Sequence, residues 1–184
     1  MMINRFEMRF AGTGGQGIIL AGIILAEAAL LDGKNSVETQ SYGPEARGGA
    51  SKSEVIISDD IIDYPKVQKP DILAVLSQKA YNMYKNDLKS DGIVIADNSI
   101  IVDDNAVNKV FSLPIIETAK NNVGSLFTAN IVLLGAVAEL TRIVSKESLL
   151  KAIIQKVPKD TEKLNKTAFE AGYSIAGNIL IKIG

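Results

Sequence analysis

The run Gly12-Thr13-Gly14-Gly15-Gln16-Gly17 constrains this chain more than any other stretch. An alternating segment, Arg5 to Ala11, precedes it, and a long apolar run from Ile18 to Leu31 follows. A strand that stops in glycines and restarts as a helix makes a tight turn whose free backbone N–H groups aim at one spot, which suits an anion. Some of the glycines permit positive φ; others remove a Cβ that would block a ligand or the close crossing of helix and strand. Phe6, Met8 and Phe10 alternate with Glu7 and Arg9, so the first element is predicted to be a strand near the middle of a twisted sheet. The helix after the turn is apolar almost all round, with Glu27 as the main exception. It therefore needs cover on more than one side, from the sheet and from either other helices of the domain or a partner subunit.

The chemistry available to the chain is narrow. It has no cysteine and no histidine among its 184 residues. That excludes disulfides, a cysteine nucleophile, cysteine-held clusters and the commonest neutral-pH base. The hard chemistry of any enzyme it serves must sit on a cofactor or another chain. No catalytic residue is assigned, and no metal ligand set: Asp59, Asp60 and Asp63 match no complete calcium loop and read as turn formers. A formal charge of -1 from 20 basic and 21 acidic residues, without a basic block, argues against a nucleic-acid partner. The start lacks a signal-peptide arrangement, and Gln16 and Glu27 interrupt the apolar run before membrane-spanning length, so no membrane association and a cytoplasmic location are expected. The length fits a single domain over 1–184, with no repeat and no linker.

The second informative stretch is Ser41-Tyr42-Gly43-Pro44-Glu45-Ala46-Arg47-Gly48-Gly49-Ala50-Ser51. It follows a predicted strand, Ser36 to Ser41, in which Glu38 stands at about the distance of the acid that holds a ribose in a nucleotide-binding unit. Simple nicotinamide binding is then disfavoured, because a long glycine-rich polar loop replaces the crossover helix. Arg47 offers a rigid fork to a carboxylate or phosphate, or else a salt bridge to Glu45. Farther on, Lys52–Ile57, Asp71–Ser77, Ile93–Ala96 and Val110–Ile115 read as strands, with Asp97 and Asn98 at a carboxyl end where they either face a ligand crevice or cap a turn. Lys79–Lys89, Leu126–Val144, Lys146–Lys156 and Thr161–Ile181 read as helices. Asn130, amid apolar neighbours, needs a partner across a helix or subunit boundary unless it faces water, and Gly135 suggests a close backbone approach. Gly172 and Gly177 weaken the last helix. The order of strands and helices predicts an α/β, Rossmann-like three-layer domain whose mostly parallel central sheet is flanked by helices.

Taken together, GTGGQGIILAG at 12–22, SYGPEARGG at 41–49, EVIISD at 54–59 and NNVGSLFTANIVLLGAV at 121–137 resemble the gamma subunit of 2-oxoacid:ferredoxin oxidoreductases. SYGPEARGG looks most like the 2-oxoglutarate branch. The resemblance implies a subunit, inactive alone, of a complex that converts 2-oxoglutarate to succinyl-CoA and carbon dioxide while reducing ferredoxin. It implies thiamine diphosphate, Mg2+ and iron–sulfur clusters on companion alpha, beta and delta or ferredoxin-like subunits, with coenzyme A as co-substrate. Mapped here, it makes Gly12, Gly14, Gly15, Gln16 and Gly17 a cofactor-binding loop, and Tyr42, Gly43, Glu45, Arg47, Gly48 and Gly49 a second loop at an interface, to which Asn130 is added. Two alternatives stand beside it: a purely structural assembly subunit, and an independent nucleotide-binding oxidoreductase.

Overall fold

Two-residue alternation sorts the buried side chains onto opposite faces of one sheet. Met8, Phe10, Val55, Ile57, Ile72, Ala74 and Ile95 join one apolar cluster, whereas Ala11, Leu73, Val75, Val94 and Ala96 join another. The computed structural model describes residues 5–42, 49–103 and 109–183. In these, β1 (Phe6–Thr13), β2 (Asn35–Tyr42), β3 (Ala50–Ser58), β4 (Ile72–Val75), β5 (Ile93–Asp97) and β6 (Lys109–Leu113) form a six-stranded sheet in the order β2-β3-β1-β4-β5-β6. Of the helices, α1 (Ile18–Leu31), α4 (Ala129–Thr141), α5 (Lys146–Lys156) and α6 (Glu162–Ile183) cover the first face. On the second lie α2 (Gln78–Tyr84) and a 3-10 turn, Lys85–Asp87. The short α3 (Ile115–Glu117) passes into a π turn, Thr118–Val123. The α/β three-layer expectation holds.

β1 lies inside the sheet, as its alternation predicts, but its charged residues are buried with it. Arg9 is 2% exposed. Its Nε donates to Glu54 Oε1 at 2.8 Å, its Nη1 pairs with Asp87, and its guanidinium lies 5.1 Å from the Tyr84 ring centre. A charge can be buried here because it is paired and hydrogen-bonded. The shortened second helix belongs to the same arrangement: α2 ends at Tyr84, and the tighter turn after it carries Asp87 to Arg9.

Strand direction corrects one expectation. The pairings β1–β4, β4–β5 and β5–β6 are parallel, but β2 and β3 form an antiparallel hairpin added through β3 to β1. The ribose-binding reading of Glu38 requires its strand to lie parallel and next to β1. Here β3 intervenes, and Glu38 accepts a hydrogen bond from Ser53 Oγ at 2.5 Å. α1 lies on the hairpin and is flanked by α4 and α5 of the same chain, with Ile19, Leu20 and Ile23 left half-buried along a groove. A Cβ at Gly22 would come 1.9 Å from Ser53 Oγ, so this glycine sets how closely helix and sheet meet.

α4 and α6 meet through glycines as well. A Cβ at Gly135 of α4 would lie 2.2 Å from the Phe169 carbonyl oxygen, and one at Gly172 of α6 would lie 1.9 Å from that of Val132. The close approach expected at Gly135 is present, and α6 runs unbroken through Gly172 and Gly177. α4 is shorter than its apolar run, starting at Ala129 after a 3-10 turn and stopping at Arg142, whose φ is 51°. Gly172→Ala should lower stability by about 1–3 kcal/mol despite its better helix propensity, because backbone atoms cannot retreat. Gly177→Ala, whose Cβ would meet only Glu139 Oε1 at 3.7 Å, should instead raise it by about 0.5–1 kcal/mol. Urea unfolding midpoints at unchanged m measure both signs.

Candidate functional site at the glycine turn

Parallel strands gather their carboxyl ends at one pole of the sheet, and the antiparallel hairpin brings its own tip there. Thr13 pairs with Ala50 and Gly12 with Ser51, while Tyr42 pairs with Ser51 across the hairpin. The first glycine turn and both stems of the second loop are thus adjacent. Tyr42 closes β2 and Gly49 is half-buried beside Ala50, whereas Gly43, Glu45, Arg47 and Gly48, and the Tyr42 side chain, lie outside the described residues.

Each residue of the first turn has its own task. Gln16 closes the turn: its N–H donates to the Thr13 carbonyl at 3.2 Å, and its Oε1 accepts from the Thr13 N–H at 2.8 Å. Its Nε2 donates to the Leu76 carbonyl at 3.1 Å, fastening the turn to the end of β4. Gly12 leaves room for this, since a Cβ there would lie 2.6 Å from Gln16 Oε1. Gly15 and Gly17 have φ of 90° and 69°, in the left-handed region. Gly17 is also where the second helix arrives. Asn130, 2% exposed in the first turn of α4, donates from Nδ2 to the Gly17 carbonyl at 3.1 Å, and a Cβ at Gly17 would sit 2.5 Å from that nitrogen. Asn130 Oδ1 is buried and has no partner among the described residues.

Two amino termini of helices therefore meet at the turn. No side chain caps α1 and no acidic residue stands in its first turn. The N–H groups of Gly14 and Gly15 have no hydrogen-bond partner among the described residues, and both glycines are exposed. Uncapped donors at the positive end of a helix make a place for an anionic group. A groove of 480 Å³ runs from there along Ile19, Leu20 and Ile23 to Ser51. A second, of 350 Å³, opens on the other side between Gly14, Gly15 and Gln16 and the apolar Ile116, Leu126 and Phe127.

Asp97, the other acid at this pole, is 1% exposed. Its carboxylate accepts from the N–H and Oγ of Ser99 and from the Ile116 N–H, so it caps the start of the short helix. Among the described residues no group of three or more His, Cys, Asp or Glu could hold a metal. With no cysteine or histidine in the sequence, the donor set does not fit an iron–sulfur cluster. A 680 Å³ cavity at the opposite pole is organised by helix ends: Asp32 accepts from the N–H and Oγ of Ser145. Burial would raise the Asp32 pKa, but hydrogen bonds from Ser148 and Ser145, with Lys34 nearby, hold it below the ordinary 3.8.

Sequence reasoning missed Leu126 and Phe127, which read as the start of a buried helix. They instead stand 54% and 87% exposed on a 3-10 turn. Their signal was available: a large apolar pair directly after Gly124-Ser125, at the entry of a helix whose body is already apolar.

The fold and site define an α/β three-layer domain with an open glycine turn at the carboxyl edge of its sheet. Residues 7–175 match the family model described as pyruvate ferredoxin/flavodoxin oxidoreductase. The chain is 54% identical over 176 residues to the 2-oxoglutarate synthase subunit KorC of Methanocaldococcus jannaschii, covering 94% of each. A crystal structure of the keto/oxoacid ferredoxin oxidoreductase gamma subunit from Geobacter sulfurreducens PCA is 48% identical, with a TM-score of 0.81 over 93% of this chain and 98% of that one. The 2-oxoglutarate:ferredoxin oxidoreductase from Magnetococcus marinus, with 2-oxoglutarate, coenzyme A and succinyl-CoA bound, is 25% identical with a TM-score of 0.86, over 95% of this chain but 31% of that one. The chain belongs to this family, as the gamma subunit of a 2-oxoacid:ferredoxin oxidoreductase closely matching the 2-oxoglutarate synthase branch. It is a subunit of a multi-subunit oxidoreductase, and no helix among the described residues is long and apolar enough to cross a membrane.

The geometry separates two kinds of glycine. Gly17→Ala should cost about 1–3 kcal/mol from positive φ and the clash with Asn130. Gly14→Ala, with nothing within 4 Å of its Cβ, should stay within about 0.5 kcal/mol of the parent. Thermal unfolding resolves the difference, since a domain of this size shifts by about 2–4 °C per kcal/mol.

Proposed function

We propose that the chain, acting over 1–184 as one gamma domain, serves a 2-oxoglutarate:ferredoxin oxidoreductase and that its glycine turn helps receive coenzyme A. The observation that carries this is that the Gly14 and Gly15 N–H groups, without a hydrogen-bond partner among the described residues, adjoin the uncapped start of α1 beside a groove. The identity to KorC and the ligands of the Magnetococcus marinus enzyme support the choice of acid and of co-substrate. The reaction takes 2-oxoglutarate, coenzyme A and oxidised ferredoxin to succinyl-CoA, carbon dioxide and reduced ferredoxin. Bound on companion alpha, beta and delta or ferredoxin-like chains, thiamine diphosphate with Mg2+ and iron–sulfur clusters supply the decarboxylation and electron-transfer chemistry.

The residues of this chain bind and orient. The turn N–H groups take an anionic oxygen of the co-substrate at the positive end of α1. Gln16 fixes their direction by holding both Thr13 and Leu76, and Asn130 holds Gly17. Binding energy collected this far from the thiol serves to place the thiol. Arg47 extends the same role as an anion or carboxylate partner from the second loop. A purely structural role is favoured by one observation, the exposed Leu126–Phe127 pair, which suits a protein neighbour. An independent nucleotide-binding enzyme has lost its main support with the antiparallel placement of Glu38.

Co-expression with the companion subunits, followed by coenzyme A-dependent ferredoxin reduction with 2-oxoglutarate and pyruvate in parallel, tests the reading. Selective activity with 2-oxoglutarate is expected. Gly14→Leu, whose Cβ would meet nothing within 4 Å, should raise KM for coenzyme A at least about tenfold with little change in KM for the acid. An unchanged KM for coenzyme A would leave the structural role, and selective pyruvate activity would overturn the substrate.

A further inference from the structure

Relatives of this chain come in two lengths. KorC of Methanocaldococcus jannaschii is matched over 94% of its length, but in the Magnetococcus marinus enzyme the equivalent domain is 31% of one chain. What fills nearly the whole of the KorC polypeptide is, in the longer relative, joined to a segment about twice its size. A surface that such a segment covers must be exposed when the domain stands alone, and the described residues offer one built for cover.

Leu126 and Phe127 are neighbours in sequence and are both largely exposed, Phe127 by 87%. The turn that carries them is held firmly. Thr128 donates to the Ser125 carbonyl from both its N–H and its Oγ1, and the Ser125 N–H donates to the Ala119 carbonyl at 2.9 Å. Behind the turn, Thr128 and Ala129 are buried. The ring is therefore presented by a rigid support, which lowers the entropy lost when it is covered. The 350 Å³ groove beside it, reaching Ile116 and the glycine turn, has no charged residue among the described residues of its lining. Depletion of charge around an aromatic anchor is the composition of the centre of a protein interface. Ile61 is equally exposed, but it lies at the opposite pole, in the loop beyond the amino-terminal edge of β1 and away from the glycine turn.

We infer that the Leu126–Phe127 turn and its groove form the docking face for the companion chain that corresponds to the remaining segment of the longer relative, with Phe127 entering an apolar pocket on that chain. This rests on the gamma-subunit reading and adds the surface and the partner. Because the face adjoins Gly14 and Gly15, docking also walls one side of the turn and narrows the access of water to it.

The test uses this chain and the companion identified by alignment to that longer segment, each purified with its cofactors, and reads affinity by titration calorimetry and mass by light scattering. Phe127→Lys and Leu126→Lys should each weaken the complex at least tenfold, with thermal unfolding of the isolated chain unchanged, while Ile61→Lys leaves affinity as it was. Parent-like binding by both lysine variants would overturn the docking face while keeping the gamma-subunit reading. Failure of the parent chain to bind the companion at all would overturn both. A parent chain that is a dimer, made monomeric by Phe127→Lys without loss of companion binding, would assign the face to a second copy and overturn the inference.

Discussion

The hydrogen bond from Asn130 to the Gly17 carbonyl ties together the parts of the molecule that matter for its role. Gly17 already accepts the first helical N–H of α1, from Ala21, through the same oxygen. A side chain at position 17 would occupy the space of the asparagine amide, so the left-handed glycine and the buried polar residue require one another. Through them the start of α4 is set against the start of α1, over a separation of 113 residues. The glycine turn is thus a junction of two helices and a strand, and Gln16 adds the neighbouring strand through Leu76. Donors fixed in this way are already oriented when a ligand or a partner arrives, which is what preorganisation means in energetic terms.

Local features of this arrangement were readable in the sequence, and long-range ones were not. The turn, the burial of α1 and the limits of α5 follow from glycine chemistry, apolar periodicity and capping, all of which act within a few residues. That Asn130 needs a partner could be read from its apolar surroundings; that the partner is Gly17 could not. The direction of β2 and β3 was hidden for a related reason, because a half-buried strand has the same alternation whether its neighbour runs parallel or antiparallel. Hence the spacing of Glu38 fits a ribose-holding acid while the direction of its strand does not. Gly172 and Gly177 look alike in a helical sequence, yet only Gly172 lies against another backbone. Leu126 and Phe127 show the opposite limit: hydrophobicity predicts burial, but in a subunit the burying surface belongs to another chain.

The two poles of the sheet divide the work. At the amino-terminal edge, charges such as Asp32 and Lys34 are used to hold helix ends and loops of the same chain. At the carboxyl edge, among the described residues, backbone donors and apolar side chains are left open, and the first glycine turn meets the stems of the second loop by strand register. With no cysteine or histidine in the sequence, thiolate-held clusters and imidazole chemistry have to come from elsewhere in the complex.

The most direct measurement is amide hydrogen exchange on the assembled complex, with and without coenzyme A, read at the glycine turn. The account predicts that the fast-exchanging amides of Gly14 and Gly15, and those opening α1 at Ile18 to Leu20, slow when coenzyme A is added. Exchange at the turn that is unchanged by coenzyme A, or protection confined to the pole of Asp32 and Ser145, would contradict it.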